Sequence, residues 1–108
     1  MSRAKGNEAE SKAVSFLHEN NYTVIERNFY SKFGEIDIIA SKEGVYHFVE
    51  VKSGKGFEPI YAITPSKLNK IIKTANFYIL LKQITAPFVI DAIVIKGDSI
   101  ELIDNITL

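Results

Sequence analysis

Two apolar runs around a short polar turn carry charged residues at positions where a strand buries its side chains. The runs are residues 34–40 and 45–52, and the turn is residues 41–44. Apolar runs of this length on either side of a turn predict a β-hairpin. The charged residues that interrupt them are Asp37, Glu50 and Lys52. Because charges are costly to bury without partners, we expect these three groups to be paired or to bind an ion.

The three charges admit two interpretations. Side chains alternate along a strand, so Glu50 and Lys52 share one face, and Asp37 on the neighbouring strand can reach Glu50. The first interpretation is a buried salt bridge between Lys52 and one acid, which leaves the other carboxylate unpaired. The second is a divalent metal ion between Asp37 and Glu50, with Lys52 beside the reacting group. Mg²⁺ typically takes one or two carboxylates together with water and substrate phosphate.

Length and composition narrow the class of protein. The 108 residues suffice for one domain, residues 1–108, with one modest core. The chain has no cysteine, which excludes disulfides and thiolate metal ligands and fits a reducing compartment. The first residues lack the apolar core of a secretory signal and no apolar run could span a membrane, so we expect a cytoplasmic protein without a membrane partner. A formal net charge of zero means that nucleic-acid binding needs local basic patches.

The residues from about 5 to 20 predict a first helix with one ambiguous acid. The apolar residues that recur at helical spacing are Ala9, Ala13, Phe16 and Leu17. Glu10 shares this stripe. It is either a rim residue whose carboxylate lies in water or a third acid directed at the acids of the hairpin.

A second helix is predicted to begin at Thr64 as N-cap, with Pro65 in the first helical position, and to run to about Lys82. Its predicted buried stripe is Leu68, Ile72, Ala75 and Ile79. Lysines recur every three residues along it, at Lys67, Lys70 and Lys73. They form either a solvated flank or a ridge that contacts phosphates.

A glycine-rich loop follows Lys52 and carries Lys55. It lacks the P-loop pattern, so it is either a mobile substrate-facing loop or a plain connector. Residues 88–96 are almost continuously apolar and predict a strand covered on both faces. Asp91 interrupts it and either pairs with a basic side chain or supports the metal site from behind its ligands; of the two we expect the structural pairing. With a first strand at residues 22–29 and a last one at 99–103, the order is α-β-β-β-α-β-β. This order predicts an α/β fold with a small mixed central sheet flanked by helices.

Several of these motifs together resemble those of a known family. The residues that carry the resemblance are Gly6-x-x-Ala9-Glu10, Arg27-Asn28, Gly34-Glu35-Ile36-Asp37-Ile38-Ile39-Ala40, Phe48-Val49-Glu50-Val51-Lys52 and Thr64-Pro65-x-Lys67. They are similar to the YraN-like family of uncharacterised bacterial proteins, which is assigned to the PD-(D/E)XK nuclease superfamily. The resemblance spans residues 6–95 and implies a fold like that of restriction endonucleases and Holliday-junction resolvases.

The resemblance also implies residue roles. Asp37 and Glu50 match the two acids that bind Mg²⁺ or Mn²⁺. Lys52 matches the lysine that positions or activates the attacking water or stabilises the developing phosphorane charge. Glu10 aligns with a first-helix glutamate that supplements the site in the resolvase-like branch. The implied catalytic set is therefore Glu10, Asp37, Glu50 and Lys52.

Two function classes follow. The first is a metal-dependent DNA endonuclease in which Lys55, Lys67, Lys70 and Lys73 hold the backbone. Such contacts read shape and charge rather than bases, which favours branched or single-stranded DNA. The second class is a non-catalytic module on the nuclease scaffold that binds nucleic acid or a protein partner, and the zero net charge and only two arginines favour it. One small domain covers little duplex, which is compatible with a homodimer.

Overall fold

Five strands form one mixed sheet that carries a helix on each face. The computed structural model describes residues 2–54 and 63–107, the first six of them as backbone only. The elements are α1 (Ser2–Glu19), β1 (Thr23–Ser31), β2 (Gly34–Lys42), β3 (Val45–Ser53), α2 (Pro65–Leu81), β4 (Phe88–Lys96) and β5 (Ser99–Ile103). This order confirms the predicted α-β-β-β-α-β-β arrangement and the α/β class.

The strands are neighbours in the order in which they occur along the chain, β1-β2-β3-β4-β5. The pairs β1/β2, β2/β3 and β4/β5 are antiparallel, whereas β3 and β4 are parallel. Parallel neighbours need a long crossover connection, and α2 lies within the one that joins β3 to β4. In this order β2 and β3 each have a neighbouring strand on both sides.

A tight turn sets the register of the β2–β3 hairpin. Glu43 and Gly44 both have positive φ, 52° and 81°, as a two-residue turn that matches the twist of its strands requires. The ladder runs from Lys42, paired with Val45, to Ile38, paired with Val49. Residues 37 and 50 therefore come next on each side, at the end of the ladder.

The helix ends follow their capping residues. Asn21 stops α1 with a φ of 69°, in the left-handed region that asparagine tolerates. The Thr64 hydroxyl accepts a hydrogen bond from the Lys67 backbone N–H at 3.2 Å, and Pro65 takes the first position of α2. The predicted N-cap is thereby confirmed.

Each helix covers a core of its own. The core under α1 consists of Ala13, Leu17, Tyr22, Ile38, Ala40, Val49, Ile93 and Ile95. The core under α2 consists of Ile36, Ile39, Phe48, Ile71, Ala75, Tyr78 and Ile90. Since strand residues contribute to both cores, the middle of the sheet is shielded from water on both faces.

The predicted stripe of α2 faces the core, but only one of its four residues is fully buried. Ala75 is buried, but Leu68, Ile72 and Ile79 are only partly buried. The buried residues are Ile71, Thr74, Ala75 and Tyr78. The prediction missed Ile71, Thr74 and Tyr78. The hydroxyls of Thr74 and Tyr78 can be buried because each has a hydrogen-bond partner, which for Tyr78 is Glu26. The Thr74 hydroxyl donates to the Lys70 carbonyl at 2.9 Å and lies 3.2 Å from the Ser31 hydroxyl.

Asp91 forms the structural pairing expected of it. Its Oδ2 lies 2.6 Å from Nδ1 of His47, and its Oδ1 accepts a hydrogen bond from the Asn105 backbone N–H at 2.9 Å. The side chain is fully buried. The Tyr22 ring packs edge-on against the His47 ring, with centroids 5.0 Å apart. Asp91 therefore ties three segments of the chain together behind α1.

Replacing Asp91 with alanine should destabilise the fold strongly, because His47 and the Asn105 N–H would both lose their buried partner. We expect a loss of about 3 kcal/mol in the free energy of unfolding, measured by urea denaturation. Asp98→Ala, at the exposed β4–β5 turn, is the matched control and should change it by less than about 0.5 kcal/mol. Equal effects of the two substitutions would contradict the buried pairing.

Candidate functional site

The alternation of side chains along β2 is interrupted at Asp37. Ile36 and Ile38 are two residues apart and would share a face in a regular strand, yet Ile36 packs in the α2 core and Ile38 in the α1 core. On β1, Asn28 lies between the partners of these two residues and has a φ of 54°. At Asp37 and Asn28, the side chains of β2 and β1 therefore switch the face of the sheet toward which they point.

The Asp37 carboxylate reaches across to β3. Its Oδ2 accepts a hydrogen bond from the Val51 backbone N–H at 2.8 Å. The β2–β3 ladder has already ended at Ile38 and Val49, so this side-chain bond takes the place of a backbone bond where the strands part. The hydrogen bond brings Asp37 beside Glu50, as the predicted hairpin required.

Burial shifts the titration of both carboxyl groups. Burial, with repulsion from Glu10 and Glu35, raises the pKa of Asp37 to about 6, although the Val51 N–H acts in the opposite direction. Burial, followed by repulsion from Asp37, raises the pKa of Glu50 to about 8. Near neutral pH the two groups therefore resist carrying two negative charges without a cation.

Lys52 and Glu35 also act on this pair. The Lys52 ammonium lowers the pKa of both carboxyl groups, and the Glu35 carboxylate raises both. Lys52 is thus within electrostatic reach of the two acids, as predicted. Glu35 was missed, although its position two residues before Asp37 in the same strand was a signal that the two acids are neighbours.

Glu50 retains an unused oxygen. Its Oε1 is buried and has no hydrogen-bond partner in the part of the chain that the structure describes. A simple salt bridge between Lys52 and one acid leaves this atom unexplained, since a buried carboxylate oxygen normally has a partner. Oxygen donors of two carboxylates are the ligands that Mg²⁺ and Mn²⁺ prefer, so Asp37 and Glu50 fit such an ion.

The two carboxylates are not joined by a third ligand. Within residues 2–54 and 63–107, no group of three or more His, Cys, Asp or Glu side chains could hold a metal ion. A site of this kind suits a cation that keeps several waters and takes further ligands from a phosphate substrate. It does not suit a permanently held structural metal, which protein ligands enclose.

Glu10 has a partner that the sequence analysis did not assign. It is only 9% exposed, so its interpretation as a rim residue in water is wrong. Its Oε1 lies 3.7 Å from an Arg27 guanidinium nitrogen, which also lies 3.5 Å from the Ser11 hydroxyl. Glu10 contributes to the raised pKa of Asp37, so it lies within electrostatic reach of the site. Its catalytic role stays a prediction.

The predicted lysines lie along α2. Lys67, Lys70 and Lys73 are all exposed. The helix contains no aspartate or glutamate that could neutralise them within it. Lys55 lies outside the described residues, as do residues 56–62.

Comparison with known proteins identifies the family. The model of UPF0102, described as an uncharacterised protein family, matches residues 9–95. A UPF0102 protein of Wolinella succinogenes is 59% identical over 108 residues, all of both chains. A UPF0102 protein of Helicobacter pylori strain HPAG1 is 57% identical over 105 residues, 97% of this chain and 92% of the relative. One of Helicobacter hepaticus is 53% identical over 107 residues, 99% and 97% of the two chains.

The chain belongs to the UPF0102 family. This confirms its similarity to the YraN-like uncharacterised proteins. The match begins at Ala9, directly before Glu10, and ends at Ile95 in β4, so it contains Asp37, Glu50 and Lys52. In the described part of this UPF0102 chain, neither helix is long and apolar enough to cross a membrane.

The raised pKa values predict a pH dependence of stability. In the folded chain the pKa of Glu50 rises from 4.5 to about 8 and that of Asp37 from 3.8 to about 6. The folded state therefore binds more protons than the unfolded state between these values, and stability without metal falls as pH rises through them. Glu50→Gln should raise the free energy of unfolding at about pH 8 by on the order of 2 kcal/mol, with little effect at about pH 4.

Urea denaturation in EDTA at the two pH values measures this difference. Glu101→Gln is the control, because Glu101 is an exposed acid on β5. It should change stability by less than about 0.5 kcal/mol at either pH. The same effect of Glu50→Gln at both pH values would show that burial of this carboxyl does not raise its pKa.

Proposed function

We propose that this UPF0102 protein is a divalent-metal-dependent nuclease that hydrolyses phosphodiester bonds of DNA. The observation that carries the proposal is the buried, unpartnered Oε1 of Glu50 beside the Asp37 carboxylate. Two acids that resist joint ionisation, with a lysine beside them, form an arrangement that a cation completes. A structural ion pair alone has no need of the second acid.

In the proposed reaction, water attacks the phosphorus in line, a new P–O bond forms, and the P–O bond to the leaving sugar oxygen breaks. Mg²⁺ or Mn²⁺, held by Asp37 and Glu50, would stabilise the charge on the phosphate and make its bound water more acidic. The Val51 N–H fixes the orientation of the Asp37 carboxylate, so little reorganisation is needed during the reaction.

Lys52 supplies the fixed positive charge of the proposed site. It follows Glu50 by two residues on β3 and therefore lies on the same face of that strand. Its ammonium lowers the pKa of both acids, which supports a position close enough to act on a phosphate bound beside them. We assign it to the negative charge that develops on the phosphate oxygens in the transition state.

The proposal predicts metal-dependent cleavage that requires Lys52. Purified protein with Mg²⁺ or Mn²⁺ is incubated with labelled single-stranded, duplex, flap and four-way-junction DNA. Lys52→Ala should lower the cleavage rate by at least about 100-fold, because the transition state loses a preorganised charge. Lys42→Ala, at the opposite end of the same hairpin, is the matched control and should cleave at the wild-type rate.

Two outcomes of this assay would contradict the proposal. Cleavage that persists in EDTA would exclude a metal-dependent reaction. Wild-type protein that cleaves none of the substrates at high enzyme concentration and low salt would argue against a nuclease altogether. Equal loss in Lys42→Ala and Lys52→Ala would point to a general loss of positive charge rather than to a role at the site.

A second candidate is a non-catalytic binding module on the same scaffold. The observation that favours it is the ion pair of Glu10 with Arg27, at 3.7 Å, which gives the third acid a partner other than a metal ion. With a formal net charge of zero, such a module would bind through the α2 lysines or through a protein partner. A binding module has no reason to bring Asp37 and Glu50 together around an ion.

Metal affinity separates the two candidates. We expect titration calorimetry with Mn²⁺ to show binding to the wild-type chain and at least about tenfold weaker binding to Asp37→Ala, because one of two ligands is removed. Asp98→Ala, with its carboxylate at an exposed turn, should bind as the wild type does. An unchanged affinity of Asp37→Ala would mean that the metal site lies elsewhere, and no binding at all would favour the module.

A further inference from the structure

The exposed face of α2 is basic in its first half and apolar in its second. The exposed residues that recur three or four apart along it are Lys67, Lys70, Lys73, Phe77, Leu80 and Leu81. Phe77 is 37% exposed, Leu80 78% and Leu81 56%. The whole chain has equal numbers of basic and acidic residues, but α2 carries no acid. The helix is therefore positively charged although the protein is neutral.

An aromatic surface adjoins the lysines. It consists of Phe33, in the β1–β2 turn, and Phe77 on α2, whose ring centroids lie 6.4 Å apart. Phe77 also packs 6.3 Å from Phe29, which in turn packs edge-on against the buried Tyr78 at 4.9 Å. The aromatic surface is therefore anchored to the α2 core, so its rings need little further ordering when a ligand binds. The Lys32 ammonium lies 5.3 Å from the Phe33 ring centroid and adds another cation at its rim.

The aromatic surface lies next to the start of the strand that carries Asp37. A Cβ on Gly34 would lie 3.6 Å from Lys70 Cβ and 3.7 Å from the Thr74 hydroxyl, so the start of β2 lies against the middle of α2. Asp37 follows three residues later on β2, a distance of about 10 Å along the strand. A ligand strand that continued from the lysines along β2 for about 10 Å would come level with Asp37.

We propose that Phe33 and Phe77 stack against unpaired bases of a single-stranded nucleic acid whose phosphates lie along Lys67, Lys70 and Lys73. The inference rests on the proposed nuclease function and deepens it, because it defines the substrate as an unpaired strand that leads into the site. Cations beside aromatic faces match the phosphates and bases of a single strand, which offers both. In a duplex each base face is already stacked on its neighbours. A second copy of this face would bring no negative charge to the lysines.

Binding measured without metal tests the inference separately from cleavage. Fluorescence anisotropy in EDTA gives the Kd of a labelled oligothymidine of about 12 nucleotides. Phe77→Ala should raise this Kd about tenfold, whereas Phe77→Tyr, which keeps the ring, should bind as the wild type does. Ile25→Ala removes an exposed apolar side chain on β1 and is the control; it should leave the Kd unchanged. Phe33→Ala provides a second, independent loss.

An oligonucleotide of the same length with abasic sites isolates the stacking. It keeps the phosphates but offers no bases, so Phe77→Ala should change its Kd by less than about twofold. A duplex of equal length should show the same small effect. Lys73→Ala, by contrast, should weaken binding to all three ligands and reduce its dependence on salt.

Three results would overturn the inference. The first is an unchanged Kd of Phe77→Ala for the oligothymidine, and the second is an equal loss on the abasic strand. The third is a wild-type dimer in sedimentation velocity that Phe77→Ala dissociates without altering DNA binding, which would assign the surface to a second copy. Base-dependent binding without any cleavage would support this inference and contradict the nuclease proposal. Cleavage without base-dependent binding would support the nuclease proposal and contradict this inference.

Discussion

The hydrogen bond from the Val51 N–H to Asp37 is the contact on which the candidate site depends. The sheet is covered by α1 on one face and α2 on the other, so its middle has no water-facing side on which charges could lie. A charged residue in that middle needs a buried partner, as Asp91 has in His47, whereas Asp37 lies where the strands part. There β2 gives up a backbone ladder bond, and the Asp37 carboxylate takes the freed N–H instead. One polar contact thus ends the ladder and brings a second acid to Glu50.

The cost of this arrangement is electrostatic. Burial and mutual repulsion raise the pKa of both carboxyl groups, and Lys52 offsets only part of that effect. The folded chain therefore holds two groups in an environment that disfavours their charged forms, a condition that natural proteins concentrate at functional sites. Asp91 shows the opposite arrangement on the α1 side of the sheet. Both of its oxygens have partners, and we assign it no chemistry.

Three exposed lysines lie on α2, apart from the acids of the hairpin. The hairpin carries the carboxylates, whereas α2 carries lysines with no acid among them. The contact of Gly34 with Lys70 and Thr74 joins the two parts. The family match spans both, since residues 9–95 include the hairpin and all of α2. A phosphate polymer could therefore be held on the helix and presented to the hairpin, even though the chain as a whole is neutral.

Local patterns in the sequence were sufficient to predict the elements and their order, the β2–β3 turn, the Thr64 cap and the proximity of Asp37 to Glu50. Each of these features depends on neighbours along the chain or across one hairpin. Apolar periodicity gave only part of the buried face of α2, because the hydroxyls of Thr74 and Tyr78 are buried with hydrogen-bond partners on β1. Only the tertiary structure decided that Glu10 pairs with Arg27, that Asp91 pairs with His47, and that the faces of β2 exchange at Asp37. These facts depend on contacts between residues far apart in the chain, and the spacing of residues within one element carries no information about them.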